Sequence, residues 1–466
     1  MTGSVRALSR KMTLHFELTG ANAAVGVASG AAASPRSGRL VLDRSLNSEA
    51  SAPASISPSA STLAPAAIGL ETPTFLKYTR HGLQPHLVRE VAAELSDMPA
   101  CTRVQLEDFL EDDGSACGQH DAGLHNFVFL DRSEVLLLDT LDPTVTRRVG
   151  KSTNSFLAID SEGGTKRLTP EVFAQLVDRL KPDIIIPPAD YIEEPLPSLT
   201  QGKRISKSVT RSAKWLDESI AKSVYPSAVF AAVMGSHSPE LRDISAKKLL
   251  ARSDVAGYVF NDVSLALPFE RKLQLVQHSL AQLDASKPRY MVGASAPDAA
   301  LRAILGGIDL VDSSYPYAVT EQGFASTYVF GGEGAAGEIA DASAAAAAAG
   351  RLDLWQESMF NDFGPLVEGC SCFTCRSHHR AYIHHLLMTK EMLSTVLLQI
   401  HNMHWYKGFF ADIRSSLARA TLAEDAQRFL ERYSSSSEAF GELETLATQE
   451  NSPTTKIQRK RHAEPL

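Results

Sequence analysis

Cysteine is scarce in this chain, five in 466 residues, and three of the five stand within one six-residue stretch. So few, so unevenly placed, do not form a disulfide framework, and a reducing compartment is the expectation. Long apolar runs are missing as well. None reaches the roughly 18 residues needed to span a bilayer, which removes a membrane-spanning helix. An excess of positive charge is also lacking: 46 Lys and Arg against 54 Asp and Glu leave a net charge of −8 and a pI of about 6.0. The chain as a whole is therefore not a polyanion-coating protein, and any nucleic-acid contact has to come from a local basic patch or from a partner.

What is present is a globular composition, 44% hydrophobic and 21% charged. The length suits one large domain with additions or two ordinary domains. The first residues carry Arg6, Arg10 and Lys11 with no acid before Glu17, a bias shared with mitochondrial presequences. "MTLHFEL", however, alternates like a strand, and residues 1–20 are read as an N-terminal strand.

Two stretches interrupt the globular pattern. Residues 21–67 and 331–350 are rich in Ala, Ser and Gly and poor in large apolar residues. Both are read as low-complexity, disordered insertions, and residues 434–466 as a flexible tail. Between them short apolar runs alternate with amphipathic helices. The runs are "VLLLD" (135–139), "FLAID" (156–160), "DIIIPPAD" (183–190), "AVFAAVMG" (228–235), "GYVFNDV" (257–263), "RYMVGAS" (289–295) and "GIDLVDSS" (307–314). "ERKLQLVQHSLAQL" sets Leu273, Val276, Leu280 and Leu283 on one helical face. "TPEVFAQLVDRL" begins with Thr169 as N-cap and Pro170 at the first helical position. Repeated strand–helix units with fully apolar strands predict a parallel sheet, and their number predicts an α/β fold, a (β/α)8 TIM barrel over 68–330; a doubly wound sheet is the alternative.

Cys370, Cys372 and Cys375 form C-x-C-x-x-C. The spacing brings three soft sulfurs to one point and selects zinc or an iron–sulfur cluster. Cys101 and Cys117 are far away in sequence, so histidine is favoured as fourth ligand. His378 and His379 are close to the hook, His384 and His385 follow in a helical run, and His401 and His404 lie further on. A straight helix from 377 would carry His401 about 36 Å away, at roughly 1.5 Å per residue. For His401 to bind, the chain must turn back near Thr389–Met392, where no Gly or Pro marks a turn. Spacing alone leaves the histidine open.

The stretch "EGCSCFTCRSHHRAYIHHLLMTKEMLSTVLLQIHNMHWY" resembles the zinc subdomain of the tRNA-guanine transglycosylases. Three likenesses extend the match to roughly residues 70–430: "LETPTFLKYTRHGL" to the family's opening barrel strand, "AVMGSHSPELRDISAKKL" to its Val-Gln-Gly-Gly segment, and "KPRYMVGASAPDAALRAILGGIDLVDSSYP" to the stretch bearing its nucleophile. The resemblance implies a TIM barrel with a zinc-binding helical subdomain near the C-terminus, here residues 351–433. It implies one structural Zn2+ per chain, held by Cys370, Cys372, Cys375 and His401.

The family exchanges a guanine of the tRNA anticodon for a modified base through an aspartate that attacks the ribose. Asp312 matches that nucleophile. Around it the family's pattern is lost. No Arg follows Pro316; Gln-Gly-Gly becomes Met234, Gly235, Ser236; Gly-Gly-Leu becomes Asn261, Asp262, Val263; the base-reading aspartate aligns with Ala189, beside Asp190. The Asp-Ser-Gly-Gly-Phe-Gln signature is absent, and Asp139 or Asp142 is the nearest candidate. A nucleophile without a base cradle gains little from proximity.

The resemblance therefore implies a non-catalytic accessory subunit with a vestigial Asp312 and no other catalytic residue. It would pair with a catalytic homologue in a heterodimer, help seat the tRNA and support exchange of guanine for queuine at the wobble position. It implies the cytoplasm, the outer face of the mitochondrial outer membrane included. The alternatives are an active transglycosylase using Asp312 and a stand-alone zinc scaffold for RNA or protein. "NMHWYKGFF" groups Met403, Trp405, Tyr406, Phe409 and Phe410. Such residues are enriched in interface cores, which places this run at the partner interface, with packing on the barrel as the alternative.

Overall fold

The computed structural model describes residues 12–19, 34–44, 67–92, 95–110, 123–144, 152–161, 164–192, 201–263, 265, 267–331 and 350–433. Three antiparallel strands come first: β1 (Thr13–Thr19), β2 (Ser37–Asp43) and β3 (Ala67–Thr72). Strand β2 lies inside the stretch expected to be a featureless insertion, and that expectation is corrected there. "GRLVLD" buries Leu40 and Leu42 on one side, so the pattern of alternation outweighs the small-residue composition around it. The remainder of 21–67, along with 332–349 and 434–466, lies outside the described residues.

Next in the chain come β4 (Thr74–Tyr78), β5 (Cys101–Gln105), β6 (Val135–Asp139), β7 (Leu157–Ser161), β8 (Gly164–Leu168), β9 (Ile184–Ile185), β10 (Ala228–Ala232), β11 (Gly257–Asn261), β12 (Arg289–Val292) and β13 (Leu310–Asp312). Eight of them close into a parallel barrel in the order β4-β5-β6-β9-β10-β11-β12-β13. Closure is made by β13 beside β4, Leu310 opposite Thr74. This decides for the TIM barrel over the doubly wound sheet.

Two strand readings need correction. "FLAID" is not a barrel strand: β7 pairs antiparallel with β8 as a hairpin outside the barrel. The barrel strand that takes its place, β5, reads "CTRVQ". Arg103 and Gln105 face the barrel interior's polar end, so the run is not apolar even though all five residues are buried.

Besides two single-turn helices, Arg89–Ala92 and Leu124–Phe127, the helices around the barrel are α1 (Pro170–Leu180), α2 (Gln201–Lys222), α3 (Pro239–Leu250), α4 (Phe269–Leu280), α5 (Pro297–Leu305) and α6 (Ser314–Glu321). Helix α1 starts as its sequence demands, with the Thr169 side chain accepting from Val172 N at 3.2 Å and Pro170 at the first position. Lys181 ends it in the left-handed region, φ 53°.

The three-stranded sheet closes the end of the barrel where the strands begin. Leu40, Leu42, Ile68 and Leu70 pack with Leu76, Leu137 and Phe230. Arg36, just before β2, holds Asp309 ahead of β13 with Nε at 2.7 Å, and Arg44, just after it, holds Asp183 ahead of β9 at 2.8 Å. The opposite end, where strands finish and βα loops begin, is the mouth at which barrel sites are built.

The C-terminal part carries β14 (Phe324–Ser326), β15 (Arg351–Asp353), α7 (Phe373–Ser377), α8 (Arg380–Met388), α9 (Leu393–Ala418) and α10 (Leu422–Tyr433). It has its own small core around Leu352, Leu354, Ile383, Leu386 and Leu398. Helix α9 belongs to both bodies. Its first half packs in that core, and its second half lays Tyr406 and Phe410 against Phe75 of β4, ring centroids 5.0 and 5.2 Å apart. The "NMHWYKGFF" run is therefore barrel packing. Met403, Tyr406, Phe409 and Phe410 are buried, and Trp405 donates to Tyr328 O at 2.5 Å. The expectation that this run faces a partner is corrected for Met403, Tyr406, Phe409 and Phe410, which the barrel wall already covers; Trp405 is only partly buried.

Candidate metal centre and barrel mouth

The turn that spacing could not mark is present. Helix α8 ends at Met388, Lys390 takes a left-handed φ of 57°, and α9 begins at Leu393. A non-glycine residue carries this conformation at modest cost, and the chain returns toward the hook. His401 on α9 then lies with its Nδ1 3.8, 3.6 and 3.4 Å from the sulfurs of Cys370, Cys372 and Cys375. The four donor atoms all lie within 4.8 Å of one another, a group that could hold a metal ion.

The rest of the environment fits a metal. His401 is fully buried, and its Nε2 donates to Ser326 O at 2.9 Å, which leaves Nδ1 with its lone pair toward the sulfurs. A second hydrogen bond of this kind fixes the tautomer of ligating histidines. Three sulfurs and one imidazole suit a tetrahedral soft-metal centre.

The other histidines are occupied otherwise. His379 caps α8, its Nδ1 accepting from Tyr382 N at 3.1 Å; His378 stacks on Tyr382; His384 Nδ1 donates to Leu354 O at 2.7 Å. His385 is exposed and His404 partly buried.

At the mouth, Asp312 ends β13 and is fully buried. Oδ2 accepts from Gly293 N at 2.8 Å, and Oδ1 accepts from Ser314 N at 3.1 Å and from the Ser314 hydroxyl. Both oxygens are thus engaged by the chain itself. Asp139 accepts from Arg103 Nη2 at 2.7 Å, and Asp142 accepts from the Tyr78 hydroxyl at 2.8 Å and from Thr144. Burial first, then the Asp142 charge, holds the Tyr78 phenol neutral. Asp262 takes Arg242 at 2.6 Å, both nearly out of solvent.

Where the family's pocket wall would stand, Ala189 and Met234 pack with Val209 of α2. Asp190 is clamped by Arg204 through two bonds of 2.7 and 2.8 Å and by Arg211 at 2.6 Å. The void lined by Ala189, Val209, Ser212 and Met234 is about 30 Å³. That is the volume of about one water, against about 300–1,000 Å³ for ligand pockets. Gly235 has a positive φ, 137°, and a Cβ there would meet Arg242 N at 2.5 Å.

Sequence reasoning missed the arginines. Arg103, Arg204, Arg211 and Arg242 neutralise the mouth's carboxylates. Only one pair left a trace: Arg204 and Arg211 are seven apart, two turns along one face of a helix.

A family model described as queuine tRNA-ribosyltransferase matches residues 60–435. Among curated relatives, a "Queuine tRNA-ribosyltransferase accessory subunit 2" of Xenopus laevis is 33% identical over 376 residues, covering 75% of this chain and 89% of that protein. Relatives of the same description from Homo sapiens and Drosophila persimilis are each 31% identical, over 76% of this chain and 91% and 85% of theirs. With the closed barrel and the Cys3His group in place, a match across this much of the sequence has one meaning: the chain belongs to the queuine tRNA-ribosyltransferase, or tRNA-guanine transglycosylase, family.

Proposed function

We propose that this chain is the non-catalytic accessory subunit of a heterodimeric tRNA-guanine transglycosylase. Paired with a catalytic homologue, it supports exchange of guanine for queuine at the tRNA wobble position. The observation that carries the reading is the filled mouth. Met234, Val209 and Ala189 close the wall, Asp190 and Asp262 are tied to arginines, and Asp312 is satisfied on both oxygens. A flipped base needs a pocket that holds it while the ribose is attacked. The names of the relatives agree with this reading.

In the same reading, Cys370, Cys372, Cys375 and His401 hold one Zn2+ per chain. Four protein ligands leave no open position, so the metal supplies folding energy rather than a reactive water. The subunit works in the cytoplasm, including at the outer face of the mitochondrial outer membrane. No helix among the described residues is long and apolar enough to cross a membrane.

The test is isolation of the native complex with identification of its chains, followed by base exchange measured for this chain alone and with its partner. Exchange only in the pair supports the reading. Exchange by this chain alone makes Asp312 a working nucleophile and overturns it.

A further inference from the structure

Helix α2 opens with a run of basic residues. Between Gln201 and Leu216 stand Lys203, Arg204, Lys207, Arg211 and Lys214 and no acid, in a protein whose net charge is −8. The five divide by face. Arg204 and Arg211 turn inward to Asp190. Lys203, Lys207, Thr210 and Lys214 are all exposed, and spacings of four, three and four put them on one stripe. The opposite face is buried through Ile205, Val209, Trp215 and Leu216.

We infer that this stripe is a contact surface for the phosphate backbone of RNA, the means by which this chain helps seat the tRNA; the inference rests on the reading given under Proposed function. The stripe runs about 16 Å at roughly 1.5 Å per residue, long enough to meet successive phosphates. Among the described residues no carboxylate pairs with Lys203 or Lys207, and Lys214 meets only Glu218, at 3.5 Å on the surface. An exposed pair of that kind yields easily to a polyanion. The helix is held in place from beneath. The double clamp on Asp190 and the Trp215 Nε1 bond to Asn154 O, 3.1 Å, fix α2 to the mouth. The lysines are thereby presented on a rigid edge beside the barrel mouth. Lysine stripes read charge and spacing but no base, so the surface would serve tRNAs without distinguishing their sequences.

The experiment uses the complex with the catalytic chain and labelled tRNA, with affinity measured across a salt series. The probe variant is Lys203→Gln/Lys207→Gln/Lys214→Gln, with the triple Lys→Arg variant as charge-preserving counterpart and Lys247→Gln on α3 as an exposed control. Expected is a log–log salt slope shallower by about 2–3 and an affinity loss on the order of tenfold or more in the Gln variant only. Unchanged melting would show that the loss is not one of folding. If the parental complex exchanges base and the Gln variant keeps its slope, the stripe idea fails and the accessory reading stands. If no complex exchanges base while this chain alone loses RNA binding in the Gln variant, the stripe stands and the reading fails. Binding of phosphatidylserine vesicles through these lysines, with RNA binding unaffected, overturns the inference.

Discussion

The metal hook and the barrel mouth are both largely buried and polar, yet they are built on opposite terms. In the hook four donor atoms converge within 4.8 Å, a group that could hold a metal ion. In the mouth each carboxylate meets a donor from the chain itself: Arg103 on Asp139, Arg242 on Asp262, Arg204 and Arg211 on Asp190, Gly293 and Ser314 on Asp312. A site that awaits something from outside keeps its electrostatic demand open, whereas one that has lost its ligand is stable once its own side chains answer that demand. The mouth's carboxylates are answered from within the chain, whereas the hook's four donors form a group that could hold a metal ion.

The strongest test of that contrast is Cys372→Ser. If the hook stands open for a metal, removing one sulfur should abolish stoichiometric zinc and take the C-terminal core with it. Structural zinc contributes about 10–16 kcal/mol in small domains, as much as a whole domain's stability. Metal analysis and soluble yield report the outcome; a variant as stable as the parent, or a parent without zinc, breaks the comparison on the hook side.

Phe410→Ala separates the two halves of α9. Phe410 packs on Phe75 and Tyr406, away from the sulfurs. The expected loss is about 3–5 kcal/mol by thermal or denaturant unfolding, with zinc content unchanged. Zinc lost together with stability would mean that hook and barrel fold as one unit.

Asp190→Asn probes the mouth's self-sufficiency. It leaves Arg211, only 10% exposed, and Arg204, 29% exposed, facing a neutral partner. A cost of about 3 kcal/mol is expected, discounted from the fully buried case because Arg204 reaches water. No change in melting would show that the clamp is incidental.

Asp312→Asn should have the smallest effect. Its hydrogen bonds can be partly remade by the amide, at a cost of about 1–3 kcal/mol. Queuine incorporation by the assembled complex should stay near parental. A collapse of incorporation in an intact complex would make the mouth a working site and erase the contrast.

Much of this was legible in sequence because it depends on local chemistry. Fully apolar runs mark barrel strands such as "VLLLD", and Thr169–Pro170 marks a helix start. "CTRVQ" escaped because its inward face is polar, and "FLAID" misled because a hairpin packed on a barrel is as apolar as a barrel strand. "NMHWYKGFF" misled for a related reason: aromatics look alike whether a partner or the chain itself covers them.

The sequence by itself determined the kinds of chemistry present: three sulfurs clustered at one point, an aspartate at the end of a strand, and Met234, Asn261 and Asp262 at the ends of neighbouring strands. The tertiary structure decided which groups meet. It brought His401 back to the sulfurs through a turn that carries neither Gly nor Pro. It also set arginines 14, 20, 21 and 36 residues away in sequence against the mouth's carboxylates. Such pairings follow from barrel closure and helix docking, which bring together residues whose separation along the chain carries no signal of their contact.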